Sequence, residues 1–105
     1  TIQSGNSFFN TLGANITVIN TKQFTFTVIG QTGYEWRLYE KDPTTGIIGT
    51  VELAGEESAT SSTQNYNYNF ITNQEVGLQI IKQGYEEFLG YFTLGSSNQN
   101  INITI

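Results

Sequence analysis

The chain has 105 residues, a length that fits one domain and leaves no room for two. Nine acids against four bases give a net charge of −5, which cannot neutralise a phosphate track or seek anionic lipid, so neither nucleic-acid binding nor membrane insertion is expected. Cys and His are both absent. That removes disulfides, the commonest metal ligand, the commonest general base and the usual activated nucleophiles; no enzyme activity, no cofactor and no metal is expected.

The apolar share is 37%, and 13% of residues are aromatic, enough to close a core because each ring buries a large area. The remaining surface is hydroxyl and amide rather than ionic, with 41 Ser, Thr, Asn and Gln residues. The chain starts at Thr1 rather than Met. That predicts either a removed leader, as in secretion, or a piece of a longer protein. No stretch is apolar enough for a signal core or a membrane span.

Residues 1–21 carry no charged side chain, and Lys22 is the first. Within this stretch Ile2, Phe8, Phe9 and Leu12 are separated by Gly, Ser and Asn. Residues 1–14 are expected to form an extended N-terminal segment, and residues 15–105 a single β-sandwich domain. The segment reads either as an edge strand of its own sandwich or as a strand that packs on another molecule.

From residue 24 onward the period is two. Phe24, Phe26 and Val28 form the first apolar row, and Tyr34, Trp36 and Leu38 the second. Ile47, Gly49, Val51 and Leu53 follow, and residues 54–63 read as a polar loop. The next rows are Tyr66, Tyr68 and Phe70, then Val76, Leu78 and Ile80, then Phe88, Gly90, Phe92 and Leu94, and finally Ile101, Ile103 and Ile105. Strand side chains alternate faces, so each row predicts one buried edge of a strand. Turns are expected at Gly30–Gly33, Asp42–Gly46, Asn73–Gln74, Gln83–Gly84 and Ser96–Asn98. Short strands at this spacing predict an all-β, immunoglobulin-like two-sheet β-sandwich of about seven or eight strands, with Trp36 filling the core.

The last third, EVGLQIIKQGYEEFLGYFTLGSSNQNINITI (75–105), places Lys82-Gln83-Gly84-Tyr85 after an apolar strand, then Phe92-Thr93-Leu94, a polar turn and an alternating final strand. It resembles the closing strands of PEGA-like and carboxypeptidase-regulatory-like β-sandwich domains. The resemblance implies a non-catalytic module of extracytoplasmic or surface proteins, with Gly84 a turn glycine and Tyr85 a packing residue.

Several side chains invite a chemical reading. The acids Glu56-Glu57, Glu86-Glu87, Asp42 and Glu75 include a single Asp, too little for an alternating calcium loop, and nothing predicts a cleft with two facing carboxylates. Tyr39 and Tyr91 lie on the parity opposite to the core rows, where they could stack a glycan. Asn15-Ile16-Thr17 and Asn102-Ile103-Thr104 are N-glycosylation sequons. Asn65, Asn67 and Asn69 predict an amide row on one strand face, either plain polar surface or a strip bonded to a neighbour. Lys82 continues the inward parity of its strand. It is read as reaching outward at the strand end, with a Lys–Asn isopeptide cross-link as the sharper alternative.

These features predict a structural subunit of an extracellular filament or pilus, or of a virus-like surface assembly. It would lie outside the cell, on a cell surface or on a virion. Identical subunits would join head to tail by strand donation, with Ile2, Phe8, Phe9 and Leu12 as donor side chains and the C-terminal row Ile101, Ile103, Ile105 as a second donor candidate. The alternative is a carbohydrate-binding or adhesive module of a larger surface protein, with a glycan as partner.

Overall fold

The computed structural model describes residues 20–42, 44–46 and 48–105, and of Ile48 and Thr50 the backbone alone. Strand β1 (Thr21–Val28) follows directly from its alternation: Phe24, Phe26 and Val28 are buried, while Thr25 and Thr27 between them are not. The same alternation produces β2 (Glu35–Lys41), β5 (Gln74–Ile81) and β6 (Phe88–Leu94). Strands β3 (Ile48–Glu56), β4 (Thr63–Asn69) and β7 (Gln99–Ile103) complete the set. Among the described residues the architecture is all-β without a helix, with seven strands in two sheets of order β4-β1-β7 and β3-β2-β5-β6.

β1 is the centre of the three-stranded sheet. It pairs antiparallel with β4, from Thr21 opposite Asn69 to Thr27 opposite Thr63. It pairs parallel with β7, from Phe24 opposite Gln99 to Val28 opposite Ile103. In the other sheet β5 runs antiparallel and unbroken between β2 and β6. The inner rows of the two sheets meet in one core of Phe24, Phe26, Trp36, Leu38, Leu78 and Ile80, with Tyr34, Val28, Val76, Leu94 and Ile103 around them. Aromatic pairs stitch the sheets together. Phe26 meets Trp36 edge-on with ring centres 5.2 Å apart, and Phe24 lies 5.4 Å from Phe92.

Two expectations need correction. The 54–63 stretch is not wholly a polar loop. β3 continues to Glu56, and Ala59 is buried, its backbone bonded to Tyr34 O and Gly33 N. The Tyr34 hydroxyl donates to Ser61 O at 2.7 Å, so this connection is tied to the core from both sides. The Ile47–Leu53 row also fails as a row. Ile47 lies outside the described residues, and Val51 is 55% exposed. The β2–β3 pairing slips between Leu38 and Tyr39 and again between Tyr39 and Lys41, so strict alternation is lost along β3. Leu53 and Ala54, adjacent in sequence, both pack on the core there.

The two hairpin turns keep their expected places, whereas the turn expected at Asn73–Gln74 falls at Ile71–Thr72, because β5 already starts at Gln74. Asp42 organises its turn with a carboxylate oxygen 2.8 Å from Thr44 N, and its carbonyl accepts from Gly46 N. Gly84 holds φ +90°, a left-handed conformation open to glycine and strained for other residues. Tyr85, expected to pack, is 43% exposed, with the Lys82 ammonium 5.3 Å from its ring centre.

Candidate functional site

Of the residues singled out by sequence, Ile2, Phe8, Phe9, Leu12 and Asn15 lie outside the described residues. What the structure provides is the surface against which such a segment can be judged, namely sheet edges and two outer faces.

β7 is bonded to β1 along one edge; no described strand covers its other edge. Next to it in the sandwich lies β6, the edge of the opposite sheet, and Gln99 of β7 donates its amide to Thr93 O of β6, clasping one end of the seam between them. The inner row of β6 is Phe88, Gly90, Phe92 and Leu94, and only Leu94 is fully buried. Phe88 and Phe92 on β6, with Ile101 and Ile105 on the carboxy-terminal strand and its end, are half-buried and pack against the core. Both rings close over Gly90, where an added Cβ would sit 2.8 Å from Phe88 Cζ and 3.0 Å from Phe92 Cε2. The β3 edge is different, because its two register slips interrupt the ladder that a docking strand would need.

The outer face of the three-stranded sheet carries Thr21, Gln23, Thr25 and Thr27 on β1. Thr63, Asn65, Asn67 and Asn69 flank them on β4, with Asn100 and Asn102 on β7. The expected amide row is therefore present, and each of its members faces a partner on β1. Thr25 Oγ1 donates to Asn65 Oδ1 at 2.8 Å, Gln23 Nε2 to Asn67 Oδ1 at 3.1 Å, and Thr21 Oγ1 to Asn69 Oδ1 at 3.3 Å. The hydroxyls of Thr27 and Thr63 meet at 3.0 Å. Lys22 is the sole charged residue of the three strands, and it shares the inward parity of Phe24. Asn102, the described sequon residue, is exposed on this face.

The outer face of the four-stranded sheet is built otherwise. One cross-strand row reads Glu52–Tyr39–Gly77–Tyr91. Tyr91 is 62% exposed and Tyr39 half-buried, so these two rings do share a face, with a glycine between them. Ions border the row: Arg37 lies 3.1 Å from Glu35 and 3.4 Å from Glu52, and Lys41 lies 2.7 Å from Glu75. A hollow of about 390 Å³ is lined by Glu40, Lys41, Gln74 and Glu75, whose polar groups bond to one another.

Lys82 Nζ donates to Gln31 Oε1 at 2.7 Å and lies over Tyr85; it reaches out at the strand end, with an amide and a ring rather than an Asn and a buried acid beside it. Among the described residues no group of three or more acidic, His or Cys side chains is arranged to hold a metal ion. The resolved pKa shifts among the tyrosines are upward. Burial is the main cause at Tyr34, with a Gln64 hydrogen bond opposing and the Glu56 charge adding. Burial also raises Tyr66, helped by Glu40, and Tyr68, opposed by its bond to Gly95 O. These are structural phenols, and each is kept neutral.

Periodicity located the inner rows but not the pairings between faces. The β1 ladder of Thr21, Gln23, Thr25 and Thr27 was visible as the opposite parity of a core row. Its match to the Asn row needed the β1–β4 register. No protein-family model matches the chain, and no curated protein matches it.

Proposed function

We propose that the protein is a structural subunit of an extracellular assembly whose copies join by strand donation, residues 1–12 of one copy lying along the β7 edge of the next. The observation that carries this reading is the seam between β6 and β7: an edge with no partner among the described residues, beside half-buried Phe88, Phe92, Ile101 and Ile105. A donated strand meets both needs of such a seam. Its backbone completes the hydrogen bonds of β7, and its alternate side chains cover the apolar groups. Ile2, Phe8, Phe9 and Leu12 are the side chains offered. Phe9 lies on the opposite parity, so Ile2, Phe8 and Leu12 are the three that can face the seam together, and burying them contributes roughly 4–9 kcal/mol before the cost of ordering the segment. Donor and acceptor are different surfaces, so the contact is head-to-tail and propagates. The test is deletion of residues 1–12, followed by electron microscopy and sizing. Polymers are expected from the full chain and monomers from the truncated one; polymers from both would refute the donor assignment.

A second reading, a carbohydrate-binding module, is favoured by the Tyr39–Gly77–Tyr91 row. Two phenol rings rise on either side of a glycine, about 10 Å apart at the backbone, from two strand spacings. A pyranose face can stack on such rings while the bordering ions and Gln79 bond its hydroxyls. On a sugar array this reading expects binding that Tyr91→Ala abolishes. Silence of the array at millimolar sugar would retire it.

A further inference from the structure

We propose that the outer face of the three-stranded sheet is a self-contact surface, through which two copies lie face to face and neighbouring polymers of the proposed assembly pack side by side. The idea rests on that assembly only for its biological setting; the contact itself is a property of the face.

Charge supports it first. All nine acids and four bases of the chain fall outside this face, so two copies of net charge −5 can approach here without bringing like ions together. The outer face of the other sheet instead carries Glu35, Glu52 and Glu75 with Arg37 and Lys41, ions that an approaching copy would have to match.

Desolvation supports it second. Removing water from a polar face is costly when its donors and acceptors are left unpaired. On this face part of them are already paired across β1 and β4: Thr25 with Asn65, Gln23 with Asn67, Thr27 with Thr63. A ladder that bonds to itself gives up less when water leaves, and its amides still have lone pairs and hydrogens to offer a facing copy.

Area fixes the strength. Three strands of eight, seven and five residues, about 4.8 Å apart, present roughly 300 Å² per copy, less than half of the roughly 800 Å² per partner typical of a stable complex. The contact is therefore weak between free copies. It becomes effective when polymerisation holds many copies in line, because effective concentration then replaces affinity. Asn102 stands on the same face, so a glycan attached there would exclude the contact.

The test places one like charge at the centre of the face. Thr25→Glu puts a carboxylate in the Asn65–Thr25–Asn100 row, and Asn100→Asp does so with a smaller change if Thr25→Glu folds poorly by circular dichroism. Thr93→Glu, on the outer face of the other sheet, is the control. Sedimentation of the full chain at millimolar concentration reads the contact whether or not polymers form, and electron microscopy reads bundling where they do. The expected result is a wild-type self-association that salt does not weaken, reduced about tenfold or more by the charge on this face and unchanged by Thr93→Glu, the polymers of the face variants persisting as single strands. Wild-type association in both face variants would overturn the proposal. So would the absence of both bundling and millimolar association, or binding of a neutral polysaccharide to this face in place of a second copy. Loss of polymers on deleting residues 1–12 speaks to strand donation alone, so the two ideas fail separately.

Discussion

The two outer faces of the sandwich stand on one core and share no surface chemistry. Over β1, the buried row Phe24, Phe26, Val28 carries a lattice of threonines and amides without a single ion. Over β5, the equally buried row Val76, Leu78, Ile80 carries Glu75, Gln79 and Ile81, with Arg37, Lys41, Tyr39 and Tyr91 from its neighbours. Both faces solve the same problem of solvating one side of a sheet. Surfaces usually intersperse charges of both signs. Here charge is sorted by outer face.

The strongest way to break the comparison is to remove the core beneath both faces. Leu78→Ala, at a fully buried position in the middle of β5, is expected to cost about 2–5 kcal/mol in urea unfolding, with one transition reporting the loss of both sheets. A smaller perturbation separates them. At Gly55 an added Cβ would sit 2.6 Å from Trp36 O, so Gly55→Ala must displace β3 from β2. A cost of about 1–3 kcal/mol is expected. Hydrogen exchange should quicken in β3 while the β4-β1-β7 amides keep their protection.

Tyr34, directly ahead of β2 of the four-stranded sheet, is tied to the 57–62 connection through Ser61 O. Tyr34→Phe is expected to cost about 0.5–1.5 kcal/mol, since Gln64 still donates to that carbonyl. Burial raises the Tyr34 pKa above its usual value of 10.0. The unfolded phenol therefore ionises first as pH rises. The stabilisation is whole below pH 10 and is lost as pH climbs through the folded value, and Tyr34→Phe should flatten that alkaline decline.

The smallest effects sharpen the contrast between the faces. A Thr25→Val, Asn65→Ala double-mutant cycle should return a coupling of about 0.2–1 kcal/mol that added salt does not change. Arg37→Gln should change stability less still, and its effect should fade as salt screens Glu35 and Glu52. Equal salt dependence at the two sites would show that the faces do not differ electrostatically.

How much of this was legible in the sequence differs from strand to strand. β1 and β5 announce themselves because both of their neighbours in the sheet hold them in unbroken register, and β2 because β5 does so on one side. β3 does not, because an edge strand with two register slips obeys no period, and Val51 faces solvent for that reason. Ala59 is buried through backbone bonds to Gly33 and Tyr34, for which a polar stretch such as 54–63 carries no composition signal. The edge seam was hidden for another reason: Phe88 and Phe92 have the right parity for the core, and only the sheet order reveals that their strand borders the sandwich. Residue type and spacing thus located the faces, whereas the pairing of distant strands decided what those faces contain.

The most direct measurement is amide hydrogen exchange on Gln99–Ile103, residue by residue, in the full chain and in the chain lacking residues 1–12. Strand donation predicts that the β7 amides pointing away from β1 are protected in the full chain, together with species larger than the monomer, and exchange freely once the segment is removed. Equal exchange at those amides in both proteins would contradict it.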